Sequence, residues 1–134
     1  MFDASTLVSA AFRREGVPAM AVRHALQADR IALSSVVLAE LLDVLHRPSL
    51  ARFLDASLRT ELIERLLAIG AVFEPETAVA DCRDPKDNKY LELALAAGAE
   101  VVVSSDEDLL VLHPWRGVRV LRPAEYLAEA GGNA

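Results

Sequence analysis

The sequence predicts an α/β protein: a three-layer α/β/α sandwich around a central parallel sheet of four to five short strands, formed by residues 1–134 as one domain. Two observations carry this. Short apolar runs such as V-V-V at 101–103 and I-A-L at 31–33 alternate with longer segments of helical periodicity, the pattern of parallel strands covered on both faces. No linker, repeat or low-complexity stretch interrupts the alternation, and 134 residues suit a single compact domain.

The elements follow in order. Ser5 to Arg14 reads as a helix ended by Gly16-Val-Pro18, and Ala19 to Asp29 as a second helix leading into a strand at Arg30 to Leu33. Ser34 offers an N-cap for a helix to about His46, stopped by Pro48. Asp55-Ala-Ser57 opens the next helix, whose apolar stripe is Leu58, Leu62, Ile63, Leu66 and Leu67, with Gly70 as C-terminal cap. Ala71 to Phe73 reads as a short strand, Pro85 to Ala97 as a helix closed by Gly98, and Glu100 to Val103 as a buried strand. A helical turn at Asp108 to Leu112, a strand at Val118 to Leu121 and a helix from Pro123 to about Glu129 complete the chain.

Composition narrows the function. Hydrophobic residues make up 53% and charged residues 25%, which describes a globular chain, while 5% aromatic residues leave the core to Leu, Val, Ala and Ile. Cys82 stands alone, so no internal disulfide forms and a reducing, cytoplasmic setting is expected. No apolar run approaches the ~18 residues of a membrane span, and Asp3 stands where a signal peptide would carry basic residues. The net charge of −6 argues against a broadly nucleic-acid-coating surface, and leaves room for nucleic acid only where metal ions neutralise part of the acid and basic residues cluster locally. No glycine-rich phosphate cradle and no G-x-S-x-G elbow occur, and His24, His46 and His113 lack zinc-ligand spacing.

The acids carry the functional signal. Ligands of parallel α/β sheets gather beyond the carboxyl ends of the strands, and Asp3 and Asp106 both stand there. Glu40 lies on a nearly all-apolar helix beside Val36, Val37 and Val44. Two readings of Glu40 stand: a metal ligand, or an edge carboxylate beside Asp43 that pairs with Arg47. In D-C-R-D-P-K-D-N-K, Asp84 suits an N-cap before Pro85, and Asp87 falls in the first turn, where the helix dipole favours an acid. Asp106 and Asp108 compete for one N-cap. Each acid has a local explanation, yet three or four converging carboxylates repel one another and call for a cation, of which Mg²⁺ or Mn²⁺ suits oxygen ligands.

The motifs D-A-S-T-L-V-S-A, S-S-V-V-L-A-E-L-L-D-V-L-H-R-P, D-P-K-D-N-K-Y-L-E-L-A-L-A-A-G-A and V-V-V-S-S-D-E-D-L-L, in this order, resemble PIN-domain ribonucleases, closest to the VapC-like toxins of bacterial toxin–antitoxin systems. The resemblance implies Asp3, Glu40, Asp87 and Asp106 as the catalytic and metal-binding acids, with Asp84 and Asp108 assisting. It places Ser5 where the family commonly has Asn, and Ser104 at a hydroxyl position before the fourth acid; both are expected to orient carboxylates. Only Met1 and Phe2 precede Asp3, so the first strand is expected to be unusually short or to begin upstream of the given start. The resemblance also implies Mg²⁺- or Mn²⁺-dependent cleavage of RNA, a cognate antitoxin and a homodimer.

Arg13, Arg14, Arg47, Arg83, Lys86 and Lys89 are the candidate phosphate contacts. Trp115 is either a base-stacking platform or a turn residue packed on the sheet edge. Two rivals remain at this level: a catalytically weak PIN-fold binding protein, and a receiver-type phosphoacceptor domain. The receiver needs a mid-chain Asp at a strand end, whereas Asp55 opens a helical stretch.

Overall fold

The computed structural model describes residues 1–132. Four short strands, β1 (Ala32–Leu33), β2 (Ala71–Val72), β3 (Val101–Val103) and β4 (Arg119–Leu121), alternate with eight helices among the described residues. The helices are α1 (Ala4–Ser9), α2 (Val17–Ala28), α3 (Ser35–Leu45), α4 (Pro48–Ala51), α5 (Ala56–Ile69), α6 (Asn88–Ala97), α7 (Glu107–Leu110) and α8 (Pro123–Gly132).

The four strands pair in parallel, and a single antiparallel bridge joins Trp115 to Val118. β1 lies on β2 in the register Ala32 to Ala71, and β3 lies on β4 with Val102 opposite Val120. Residues 1–3 run along the other side of β3: the Met1 carbonyl accepts from Val103 N, and Asp3 N donates to the Val103 carbonyl. The expected single sheet of four to five strands is therefore corrected. Hydrogen bonding joins β1–β2 as one group, and β3–β4 with the first segment as another. Residues 1–3 contribute one bridge, to β3, and among the described residues no ladder links the two groups.

Helices nonetheless cover both faces. Successive strand residues enter opposite cores, as the period of two requires. Phe2, Leu33, Val103 and Leu121 pack with Leu7, Leu41, Leu45 and Leu66, while Met1, Ala32, Val102 and Val120 pack with Val37, Leu91, Leu93 and Leu109. No helix among the described residues is long and apolar enough to cross a membrane.

Several element boundaries differ from expectation for identifiable reasons. Asp3 caps α1, which ends at Ser9 and does not reach Arg14. Gly16-Val-Pro18 does not end that helix; it begins α2, with Pro18 in the first turn, where its missing N–H costs nothing. Pro48 likewise opens α4. Residues 85–87 form a 3₁₀ turn before α6, and the turn after β3 is capped by Asp106, not Asp108. In α5, Leu58, Leu62 and Leu66 are buried, but Leu67 faces solvent.

Candidate metal and nuclease site

The strand ends and helix starts converge the acids as their local chemistry dictates. Asp3 is 2% exposed and terminates the first strand segment. Its Oδ1 accepts the Thr6 N–H at 3.0 Å, and its Oδ2 accepts from Ser104 Oγ at 2.5 Å. Ser104, fully buried after β3, also accepts the Asp106 N–H at 2.9 Å, so one hydroxyl spans the two acids. Asp106 Oδ1 in turn caps α7 through Asp108 N at 2.9 Å. Asp84 caps the 3₁₀ turn by accepting from Lys86 N at 3.1 Å. That turn presents Asp87 inward.

Carboxylate oxygens of Asp84, Asp87 and Asp108 lie within 4.8 Å of one another. Asp87 also faces Asp106 and feels the charge of Asp3. Burial first, then Asp106 as hydrogen-bonding neighbour and as charge, then Asp84 and Asp3, push the Asp87 carboxyl up to about 7. Burial also raises Asp3, and the bonds from Ser104 and Thr6 oppose it. Asp87 Oδ2 is shut off from solvent without a hydrogen-bond partner. A buried carboxylate oxygen with no donor costs free energy that a bound cation removes, so the donor set fits a hard divalent ion.

The other predicted residues are placed as follows. Of the two readings of Glu40, the pairing with Arg47 does not form: Arg47 pairs with Asp43 at 2.8 Å, and Glu40 is held by Lys89 Nζ and the Tyr90 hydroxyl. Burial first and Glu40 next raise the Tyr90 hydroxyl, so it stays a donor; the Ala4 backbone opposes this and the Asp3 charge adds to it. Ser5 is exposed, and the bonds that orient Asp3 come from Thr6 and Ser104 instead.

Arg14 pairs with Glu61 at 3.2 Å and Arg83 with Asp108 at 2.9 Å, while Arg13 and Lys86 are exposed. Trp115 is buried with its indole N–H on Asp81 at 2.8 Å, so it offers no face to a base. A cleft of about 880 Å³ lies at the amino ends of the strands by Met1, His24, Asp29 and Tyr126, and none of the six acids lines it.

Parallel strands flanked by helices, with carboxylates gathered at the carboxyl ends, define an α/β protein with an acidic cluster of metal-ligand chemistry. The PIN domain model matches residues 1–108 of the 134, and the chain belongs to this family. Its members are generally nucleases that use divalent metals, and nuclease-type hydrolase chemistry on nucleic acid follows for the class. No curated protein and no solved structure matches the chain. The receiver-type alternative ends here: Asp55 is exposed and caps α5 by accepting from Ser57 N and Leu58 N.

Two site residues escaped the sequence reading. Tyr90 follows Asp87 by three positions, a spacing that places both on one side of a helix and could have marked it. Thr6 carries the same offset from Asp3, the N-cap to N3 spacing.

Proposed function

We propose that the chain is a Mg²⁺- or Mn²⁺-dependent endoribonuclease, the toxin of a type II toxin–antitoxin pair, working in the cytoplasm as a homodimer restrained by a cognate antitoxin. The observation that carries the metal-dependent part is the unpartnered, buried Oδ2 of Asp87 among the carboxylates of Asp84, Asp106 and Asp108. Asp3, Asp87 and Asp106, with Glu40, Asp84 and Asp108 around them, would hold the ion. When bound, it activates water and offsets the charge developing on a phosphodiester.

The chain supplies the rest. Ser104 holds Asp3 and the Asp106 backbone in one register. Exposed Arg13 and Lys86 are available to phosphates, as is Arg83 once its weak surface pair opens. Exposed Met20 on α2, and Leu67 and Ile69 on α5, offer apolar area for a second copy or an antitoxin. The toxin role itself rests on the sequence resemblance.

Asp3→Asn tests the reading. It is expected to lower Mn²⁺-dependent cleavage of single-stranded RNA by at least about 10³-fold. The fold stays intact, since Asn keeps the oxygen that caps α1. Undiminished cleavage by that variant refutes the assignment. A second reading, a catalytically weak PIN-fold binding protein, draws support from the pairing of Glu40 with Lys89 and Tyr90; RNA binding without cleavage in the unmodified chain would select it.

A further inference from the structure

Two cations sit against acids of the site, and their surroundings differ. Arg83 on Asp108 is 62% exposed, so that pair is held weakly and opens at little cost. Lys89 on Glu40 is 23% exposed against a 29% exposed partner, and its ammonium also lies 5.2 Å from the centre of the Tyr90 ring. Less water screens this pair, so it is the one a competing cation must work against.

Adjacent helical residues point about 100° apart, yet both Lys89 and Tyr90 of α6 reach one carboxylate on α3. Glu40 therefore sits across the seam between their two directions. Tyr90 is buried, whereas Lys89 ends in a four-carbon stem able to swing without moving the helix. Lys89 is also two residues from Asp87, so an ammonium leaving Glu40 stays beside the pit.

Resting on the metal-dependent reading above, we propose that Lys89 is the resident counter-ion of Glu40, and that a divalent ion entering the acidic pit and the Lys89 ammonium compete for that one carboxylate. Loading with the divalent ion releases Lys89 from Glu40. The protein thereby keeps Glu40 neutralised while metal-free and gains a free cation when loaded. Lys89 is a positioning residue: it acts through Glu40.

Mn²⁺ titration by calorimetry, without RNA, tests this in a double-mutant cycle. Lys89→Met is expected to tighten Mn²⁺ binding by about tenfold by freeing Glu40. In a Glu40→Gln background the same change is expected to bring no gain. Unchanged or weaker binding by Lys89→Met overturns the proposal. So does an equal gain in both backgrounds, which would report only the loss of a positive charge.

The unmodified chain gives a measurement independent of variant folding. It has two lysines, and exposed Lys86 serves as internal reference. Mn²⁺ is expected to raise reductive methylation of Lys89 relative to Lys86 several-fold, and an unchanged ratio overturns the proposal. A chain that shows this exchange but cuts no RNA loses the nuclease reading alone, whereas one that cuts RNA with Lys89 unmoved loses the counter-ion alone.

Discussion

Asp87 gathers in one side chain the conflict that defines the site: an acid pressed by burial and by three other carboxylates, with one oxygen lacking any donor. Its carboxyl is raised from 3.8 to about 7. The folded state thus favours the protonated form, so this group's share of stability is complete below pH ~4 and is lost as pH rises through about 7. Asp3, also raised, acts in the same direction. In EDTA, the melting temperature of Asp87→Asn at pH 8 is expected to exceed that of the unmodified chain by about 4 °C, with the partial exposure of the residue holding the effect to roughly 1 kcal/mol. At pH 5 the gap narrows, and saturating Mn²⁺ removes it by stabilising only the chain that keeps the carboxylate. Scanning calorimetry at the two pH values, with and without metal, checks all three expectations.

At the scale of elements, two glycines that end helices do so for different reasons. Gly98 closes α6 with φ of 60°, a left-handed cap, and an added Cβ would meet nothing within 4 Å. Gly70 follows α5 with an ordinary φ of −66°, but a Cβ there would fall 2.4 Å from the Leu66 carbonyl and 2.6 Å from Leu33 Cδ1. Gly98→Ala is therefore expected to cost about 1 kcal/mol from backbone strain alone. Gly70→Ala, which forces backbone and a fully buried leucine apart, is expected to cost about 2 kcal/mol or more. Urea unfolding of the two variants ranks them, and equal costs would contradict the packing described for α5 on β1. Both glycines were legible as helix ends. The close approach at Gly70 was not, because Leu33 is remote in sequence.

For the whole molecule, the mutual repulsion of the gathered acids is balanced by the two cores into which the strands alternate. Met20, Leu67 and Ile69 remain uncovered on α2 and α5. If these helices carry the proposed self-association, light scattering after size exclusion is expected to give about twice 14.5 kDa, and Leu67→Glu is expected to return the monomer without lowering the melting temperature. A monomeric unmodified chain at micromolar concentration would refute the homodimer.

The sequence by itself determined the element types, the alternation that makes a parallel α/β protein, and the acids at strand ends, because periodicity, caps and prolines are local properties. Only the tertiary structure decided how those acids divide. It put Asp84, Asp87 and Asp108 together, made Ser104 and Thr6 the supports of Asp3 in place of Ser5, gave Glu40 to Lys89 and Tyr90, and buried Trp115 on Asp81. It also left the strands in two hydrogen-bonded groups. These outcomes depend on which residues far apart in the chain meet, and on how much water their meeting excludes, and no local pattern encodes either.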